Sequence, residues 1–158
     1  MVPHSTEPVP SGPRQSIALG SDEALRLLGS VSLGRIVFTR YALPTVRPVN
    51  HVLDGGDIVI RTHEGAALTS RAGRTDGPGV VVAYQADAID GITHLGWSVV
   101  VTGWARLVTD PRELARYRRL LHPWAEQWAM DYAVRIRPDL VTGIRLTAAG
   151  PGGGGDPG

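Results

Sequence analysis

The stretch that most constrains this chain is Asp54-Gly55-Gly56-Asp57, set between two runs of alternating residues that reach from Val46 to Thr62. Side chains of a strand project to opposite faces at period two, and Asp-Gly and Gly-Gly supply the positive φ values of a tight reversal. The stretch is therefore predicted to be a β-hairpin, with Val46, Pro48 and Asn50 on one face of its first strand and Val49 and Leu53 on the other. Its polar decoration is unusual for such a ribbon. Arg47, Asn50, His51, Arg61 and Thr62 bring cations, an amide and a hydroxyl near one another. Guanidinium groups on adjacent strands can meet phosphate oxygens, with hydroxyls as further donors, so the hairpin is expected to be one wall of a site for an anionic ligand.

With 158 residues and 42% apolar content, one domain is the expectation. Residues 1–15 read as a disordered N-terminal arm, 16–147 as the folded domain and 148–158 as a flexible Gly/Pro-rich tail. A net charge of +1 creates no bulk field toward nucleic acid or a membrane, and neither partner is expected. All 16 basic residues are arginine, so an anion must be met by guanidinium, backbone N–H or hydroxyl groups, and lysine Schiff-base chemistry is excluded. No cysteine is present, which removes disulfides, thiolate nucleophiles and cysteine-ligated metal, and makes the cytoplasm the expected compartment. The arm lacks the charge and apolar pattern of a signal peptide, and no apolar run is long enough to span a bilayer.

Along the chain, Ser21 is a candidate N-cap for a short helix from Asp22 to Leu28. Leu33 to Arg40 reads as a strand, turning near Tyr41-Ala42 into the hairpin. Ala66, Ala67, Leu68 and Ala72 suggest a short helix. Val80 begins a strand apolar on both faces and therefore central, and a turn through Ala88 to Gly91 leads to a long strand from His94 to Val108. Asp110-Pro111 opens a helix with Leu114, Tyr117, Leu120 and Leu121 on one stripe and Arg112, Arg116 and Arg119 on a solvated side. A second short helix is expected from Pro123 to Met130, then two closing strands, 133–137 and 140–146. Short connections among so many strands favour a barrel over an open sheet.

Several chemistries lack their residue patterns. His63-Glu64 has no second histidine at helical spacing, no Gly-x-Ser-x-Gly elbow occurs, and Gly-x-Gly-x-x-Gly is missing. The five histidines show no ligand-like spacing, so no metal site is expected. Asp87 and Asp90 flank a turn tip, where solvation explains both. Trp124 and Trp128 fit helix packing, whereas Trp97, between Gly96 and Ser98, suits a barrel mouth or a subunit boundary.

Five motifs in series then carry a resemblance: Gly34-Arg-Ile-Val-Phe, Pro44-x-Val-x-Pro-Val-Asn-His, Asp54-Gly-x-x-Ile-x-Ile-Arg-Thr, Val80-x-Val-x-Tyr-x-Ala-Asp and Gly96-Trp-Ser-Val-x-Val-x-Gly. From about Leu33 to Val108 the chain resembles the pyridoxamine 5′-phosphate oxidase-like proteins with the FMN-binding split barrel. The resemblance implies a mainly β fold, a six- to seven-stranded antiparallel split barrel with short flanking helices. It implies a homodimer with two FMN molecules at its interface, and oxidoreductase chemistry on a small-molecule substrate. Arg47, Pro48, Val49 and Asn50 match the segment that lines the isoalloxazine ring, Arg61 and Thr62 the segment near the phosphate, and Trp97 and Ser98 positions that reach the flavin from the partner subunit. Leu68 and Ser70 complete the implied cofactor set. Relatives carry lysine where this chain has Ala67, so a phosphate contact is lost unless Ser70, Arg71 or Arg74 replaces it. That departure leaves the deazaflavin F420 or haem as alternative cofactors and a non-catalytic binding protein as the alternative function. The residues that pyridoxine phosphate oxidases use for substrate are not recognisable, and no catalytic side chain is assigned; His51 is the nearest candidate for an acid or base.

Overall fold

The computed structural model describes residues 13–62, 68, 79–122 and 132–148. Its elements are β1 (Arg14–Ala18), α1 (Ser21–Gly29), β2 (Leu33–Arg40), β3 (Leu43–Asp54), β4 (Asp57–Thr62), β5 (Val80–Ile89), β6 (Gly96–Leu107), α2 (Pro111–Leu120) and β7 (Tyr132–Ala148). All strand pairs are antiparallel, in the order β1-β7-β4-β3-β2-β5-β6, and β6 pairs back onto β7 to close a barrel. One edge of β7 is shared: its first residues pair with β4, from Thr62↔Tyr132 to Ile58↔Ile136, and its last with β1, from Ala18↔Ile144 to Arg14↔Ala148. The expected mainly β split barrel is thus present, with seven strands among the described residues.

The hairpin reverses where expected. Asp54 pairs with Asp57, and Gly55 (φ +60°) and Gly56 (φ +85°) form a two-residue turn whose twist matches the strands. Period-two alternation then fills the barrel with Ile36, Phe38, Val49, Ile58, Ile60, Val82, Tyr84, Val99, Val101, Val134 and Ile136, while α1 adds Ala24 and Leu28. Each large aliphatic side chain so buried contributes about 1.5–3 kcal/mol, and a one-residue slip would turn a whole row outward, so the core sets the register. A second cluster lies outside the barrel, where Tyr117 and Leu121 of the α2 segment cover Val59 and Ala133. Asp110 caps α2 by accepting from the Arg112 N–H at 2.9 Å, and Pro111 occupies its first turn.

Several boundaries differ from expectation. β1 includes Arg14 and Gln15, which the sequence places in the arm, because β7 offers these residues a backbone edge. Gly20, not Ser21, precedes α1, and no side chain caps it. The β5–β6 turn is set by Asp90, whose carboxylate accepts from the N–H groups of Ile92 and Thr93 at 2.9 and 2.7 Å, so β5 runs on to Ile89 and β6 begins at Gly96. The two closing strands are one 17-residue strand; a register shift at Thr102/Gly103 absorbs Pro138, which a regular ladder would reject. β5 is central in pairing, yet its outer face is open, with Val81 53% exposed. Leu120 is half exposed, and Arg116 reaches Asp54 at 3.2 Å instead of facing solvent alone. Apart from Leu68, the helices expected near Ala66–Ala72 and Pro123–Met130 lie outside the described residues, as does residue 149 onward.

Candidate functional site

Of the polar residues singled out on the hairpin, Asn50 and Arg61 both reach the segment that follows α2. The β3–β4 ladder ends at His51↔Ile60, and Asn50 and Arg61 are the next residues along the two strands. Arg61 Nη1 donates to the Leu121 carbonyl at 2.8 Å, and Asn50 Nδ2 donates to the His122 carbonyl at 3.4 Å. These carbonyls follow the end of α2, where the helix leaves acceptors without intrahelical partners, and a cation is the favoured cap there. Pro48, two residues along β3, is exposed on the same face opposite Arg35 of β2.

The other expected residues divide. Val49, Thr62, Leu68 and Trp97 point inward and are at least 93% buried, so they form the wall behind the surface. Thr62 thereby faces away from Arg61, since adjacent strand residues alternate. Trp97 packs with Val99 and Val101 in its own barrel core, which corrects the placement of its indole at a mouth or subunit boundary. Arg47 Nη1 donates to the adjacent Val46 carbonyl at 3.0 Å. Ser70 lies outside the described residues, together with Ala67, Arg71 and Arg74.

His51 is enclosed. Its Nε2 lies 2.8 Å from the Leu28 carbonyl and its Nδ1 2.5 Å from the Tyr84 hydroxyl. A carbonyl only accepts, so Nε2 carries the proton and Nδ1 accepts from Tyr84. Burial lowers the His51 pKa below its usual value and raises that of Tyr84. The pair is a neutral bridge between α1, β3 and β5, and His51 has no free nitrogen to offer a substrate.

A polar set continues the outer face, in which Ser98 was expected at a site, Asp87 was read as merely solvated, and Arg35 and Gln85 were missed. Arg35 Nη1 donates to Gln85 Oε1 at 3.1 Å and lies 3.7 Å from Asp87; Gln85 Nε2 donates to Asp87 at 2.6 Å and to Ser98 Oγ at 3.4 Å. Arg35 and Asp87, with Ser30, Val31, Ser32 and Leu33, line a cavity of about 400 Å³, within the size range of small-ligand sites. Leu33 pairs with Asn50, so the cavity adjoins the hairpin donors. The available signal was parity: Arg35, Gln85 and Asp87 all interrupt apolar strands at outward positions. Among the described residues, no three His, Asp or Glu side chains are placed to hold a metal ion, and no helix is long and apolar enough to cross a membrane.

Comparison with known proteins gives a consistent result. The family profile described as pyridoxamine 5′-phosphate oxidase matches residues 20–145. The uncharacterized protein Rv0080 of Mycobacterium tuberculosis is 50% identical over 148 residues, 94% of this chain and 97% of that protein. Among solved structures, a proposed pyridoxamine 5′-phosphate oxidase of Corynebacterium glutamicum is 36% identical, covering 85% of this chain and 100% of its own, with a TM-score of 0.67. An FAD-binding protein of Mycobacterium smegmatis is 31% identical, covering 83% of this chain and 98% of its own, with a TM-score of 0.59.

Proposed function

Because the chain belongs to the pyridoxamine 5′-phosphate oxidase family, we propose that it is a homodimeric flavin-binding oxidoreductase that moves hydride or electrons between a reduced nucleotide and a small molecule. The observation that carries this reading is the continuity of the outer surface from Arg61 and Asn50, past Leu33, to the 400 Å³ cavity with Arg35 and Asp87. A similar protein from M. smegmatis binds FAD, which makes FAD as well as FMN a candidate here.

The residues fit a flavin phosphate. The Asn50 amide donates to a neutral carbonyl, and a hydrogen bond to an ionised acceptor is roughly twice as strong, so a phosphate would be its better acceptor, with the Arg61 guanidinium as a cation on the same strand pair. Bound flavin supplies the two-electron chemistry. The chain's residues would supply position, through Pro48, Asn50 and Arg61, and an apolar backing through Val49 and Leu68. Dimerisation is supported by the open outer face, where Val46 and Val81 are each more than half exposed and Leu33 and Val100 about 40% exposed. The enclosure of His51 favours the second reading, a non-catalytic flavin, F420 or haem carrier, because no acid or base reaches the outer face from that position.

Equilibrating the purified protein separately with FMN, FAD, F420 and haem tests the proposal. Uptake of a flavin absorbing near 450 nm and bleached by NAD(P)H is the expected result; stable colour without bleaching supports the carrier. Failure to take up FMN or FAD overturns the flavin reading. Arg61→Ala should weaken flavin binding by about 10- to 150-fold if its charged hydrogen bond forms, and unchanged affinity removes Arg61 from the site.

A further inference from the structure

His51 and Tyr84 are 2% and 0% exposed, yet they hold backbone on two sides of the outer surface. The His51 backbone N–H donates to the Ser32 carbonyl and its Nε2 to the Leu28 carbonyl, each at 2.8 Å. One residue thus ties both ends of the segment 28–32, whose Ser30, Val31 and Ser32 line the 400 Å³ cavity. On the other side, the Tyr84 hydroxyl lies 2.5 Å from His51 Nδ1 and 3.4 Å from the Val49 carbonyl. The Val49 carbonyl and the Asn50 N–H belong to one planar peptide, so a pull on the first moves the second. Gly34, the partner of Val49 across β2 and β3, makes the room: a Cβ there would overlap the Tyr84 hydroxyl.

That hydroxyl has one hydrogen and two acceptors within reach. While His51 is neutral, Nε2 carries the proton and Nδ1 takes the Tyr84 hydrogen. A proton added from solvent at Nδ1 makes both ring nitrogens donors. The Tyr84 oxygen then accepts from Nδ1, and its own hydrogen turns to the Val49 carbonyl. Every polar atom along Leu28, His51, Tyr84 and Val49 keeps a partner in both states, so the imidazolium is housed without a buried donor left unpaired.

Tyr84 is the titratable group in contact with the imidazole. Burial, partly offset by the Arg35 charge, keeps the Tyr84 hydroxyl protonated, so the imidazole is the member that titrates. The charged groups of the packed elements are engaged elsewhere. Glu23 of α1 pairs with Arg26 and Arg145, and Arg35 of β2 with Asp87 of β5. Arg47 of β3 and Arg61 of β4 donate to the Val46 and Leu121 carbonyls, and Asp54 and Asp57 at the hairpin tip pair with Arg135.

We propose that His51 and Tyr84 form a proton switch beneath the outer surface: protonation of His51 turns the Tyr84 hydroxyl from Nδ1 to the Val49 carbonyl and draws the Val49–Asn50 peptide inward. The consequence for a ligand rests on the flavin reading above. A flavin seated on Pro48 and Asn50 fits the neutral arrangement, so acid weakens its binding, and bound flavin lowers the His51 pKa by the same factor. His51 is here a positioning residue, acting through Val49 without touching the ligand.

The test is a pH titration of the full chain from about pH 8 to 4.5, spanning the histidine range. The His51 ring nitrogens and the Val49 carbonyl carbon are followed by NMR in wild type and in Tyr84→Phe, which keeps the imidazolium charge and removes the hydroxyl. The Val49 carbon should move with the His51 titration in wild type and less than half as far in the variant. Equal movement in both, or a His51 that stays neutral until the chain unfolds, overturns the switch. His51→Gln keeps a donor and an acceptor but cannot titrate, and covers the case in which Tyr84→Phe fails to fold. Its Val49 carbon should stay flat, and movement like that of the wild type overturns the switch. FMN titrations at pH 7.5 and 5.5 read the consequence: acid should weaken binding about fivefold or more beyond its effect in Tyr84→Phe, which shares the titration of the flavin phosphate. Equal pH dependence in the two overturns control of the ligand. Should no flavin bind at either pH, the flavin reading fails, and the Val49 carbon still decides the switch.

Discussion

The Tyr117 hydroxyl donates to a carboxylate oxygen of Asp54 at 2.5 Å, tying the middle of α2 to the tip of the β3–β4 hairpin. Arg116 and Arg135 approach the same oxygen at 3.2 and 3.5 Å, and Arg135 also donates to the Tyr117 oxygen. The tip, the helix and β7 thus share one polar junction outside the barrel.

Tyr117→Phe should destabilise the protein by about 1–2 kcal/mol, the lower part of the range for a hydrogen bond to a charged group, since the junction is partly solvated and both arginines remain. The pH dependence has a definite sign. The Tyr117 hydrogen bond, more than the arginines, holds the Asp54 pKa below its ordinary 3.8, so that contribution is present above this value and is lost as pH falls below it. Tyr117 itself is pushed up to about 12, mainly by burial, so its contribution is complete below 10 and is lost between 10 and 12. Urea midpoints should fall at both extremes in the wild type and less steeply in Tyr117→Phe.

His51 predicts a second acid-side loss. Its pKa is depressed by burial, so the stability it contributes is present above 6.5 and is lost as pH falls below that value. Protonating Nδ1 also removes the acceptor of Tyr84. Denaturation midpoints at pH 7.5, 6 and 5 should decline in the wild type and stay flatter in His51→Gln; parallel curves would exclude His51 as the source.

Glycine substitutions should separate steric overlap from backbone strain. A Cβ at Gly96 (φ +141°) would fall 1.8 Å from the Ala88 carbonyl, against open space at Gly55 (φ +60°). Gly96→Ala should therefore cost about 3 kcal/mol or more, and Gly55→Ala only about 1–2 kcal/mol for the left-handed conformation. Similar losses for both would mean that the β5–β6 turn relaxes.

Val81→Asp and Val46→Asp place a charge on the open outer face without touching the core. If two copies meet through this face, each variant should sediment as a monomer under conditions where the wild type is a dimer. Unchanged mass in both would place the contact elsewhere.

Local signals were legible where one short stretch decides the outcome. Asp54-Gly55-Gly56-Asp57 fixes its own turn, Leu33–Arg40 alternates cleanly, and Asp110-Pro111 starts α2 as a cap and first turn should. Contacts between distant residues were not legible. Arg14 joins the sheet only because β7 arrives with a spare edge, and Arg35 meets Gln85 across 50 positions. Trp97 misled because glycine and serine neighbours suggest exposure, whereas strand parity with Val99 and Val101 sends its ring inward. The donor character of Arg61 and Asn50 could be read directly; that both hold the end of α2 could not.

The shared edge of β7 has a consequence for biosynthesis. Because β4, β6 and β1 all pair with residues 132–148, the cylinder cannot close until those residues have left the ribosome. Until then β4 and β6 present unpaired backbone, the kind of nascent edge on which chains aggregate or chaperones act. A ribosome stalled short of residue 132 would therefore carry an open sheet, and release of the last strand would be the committing step of folding.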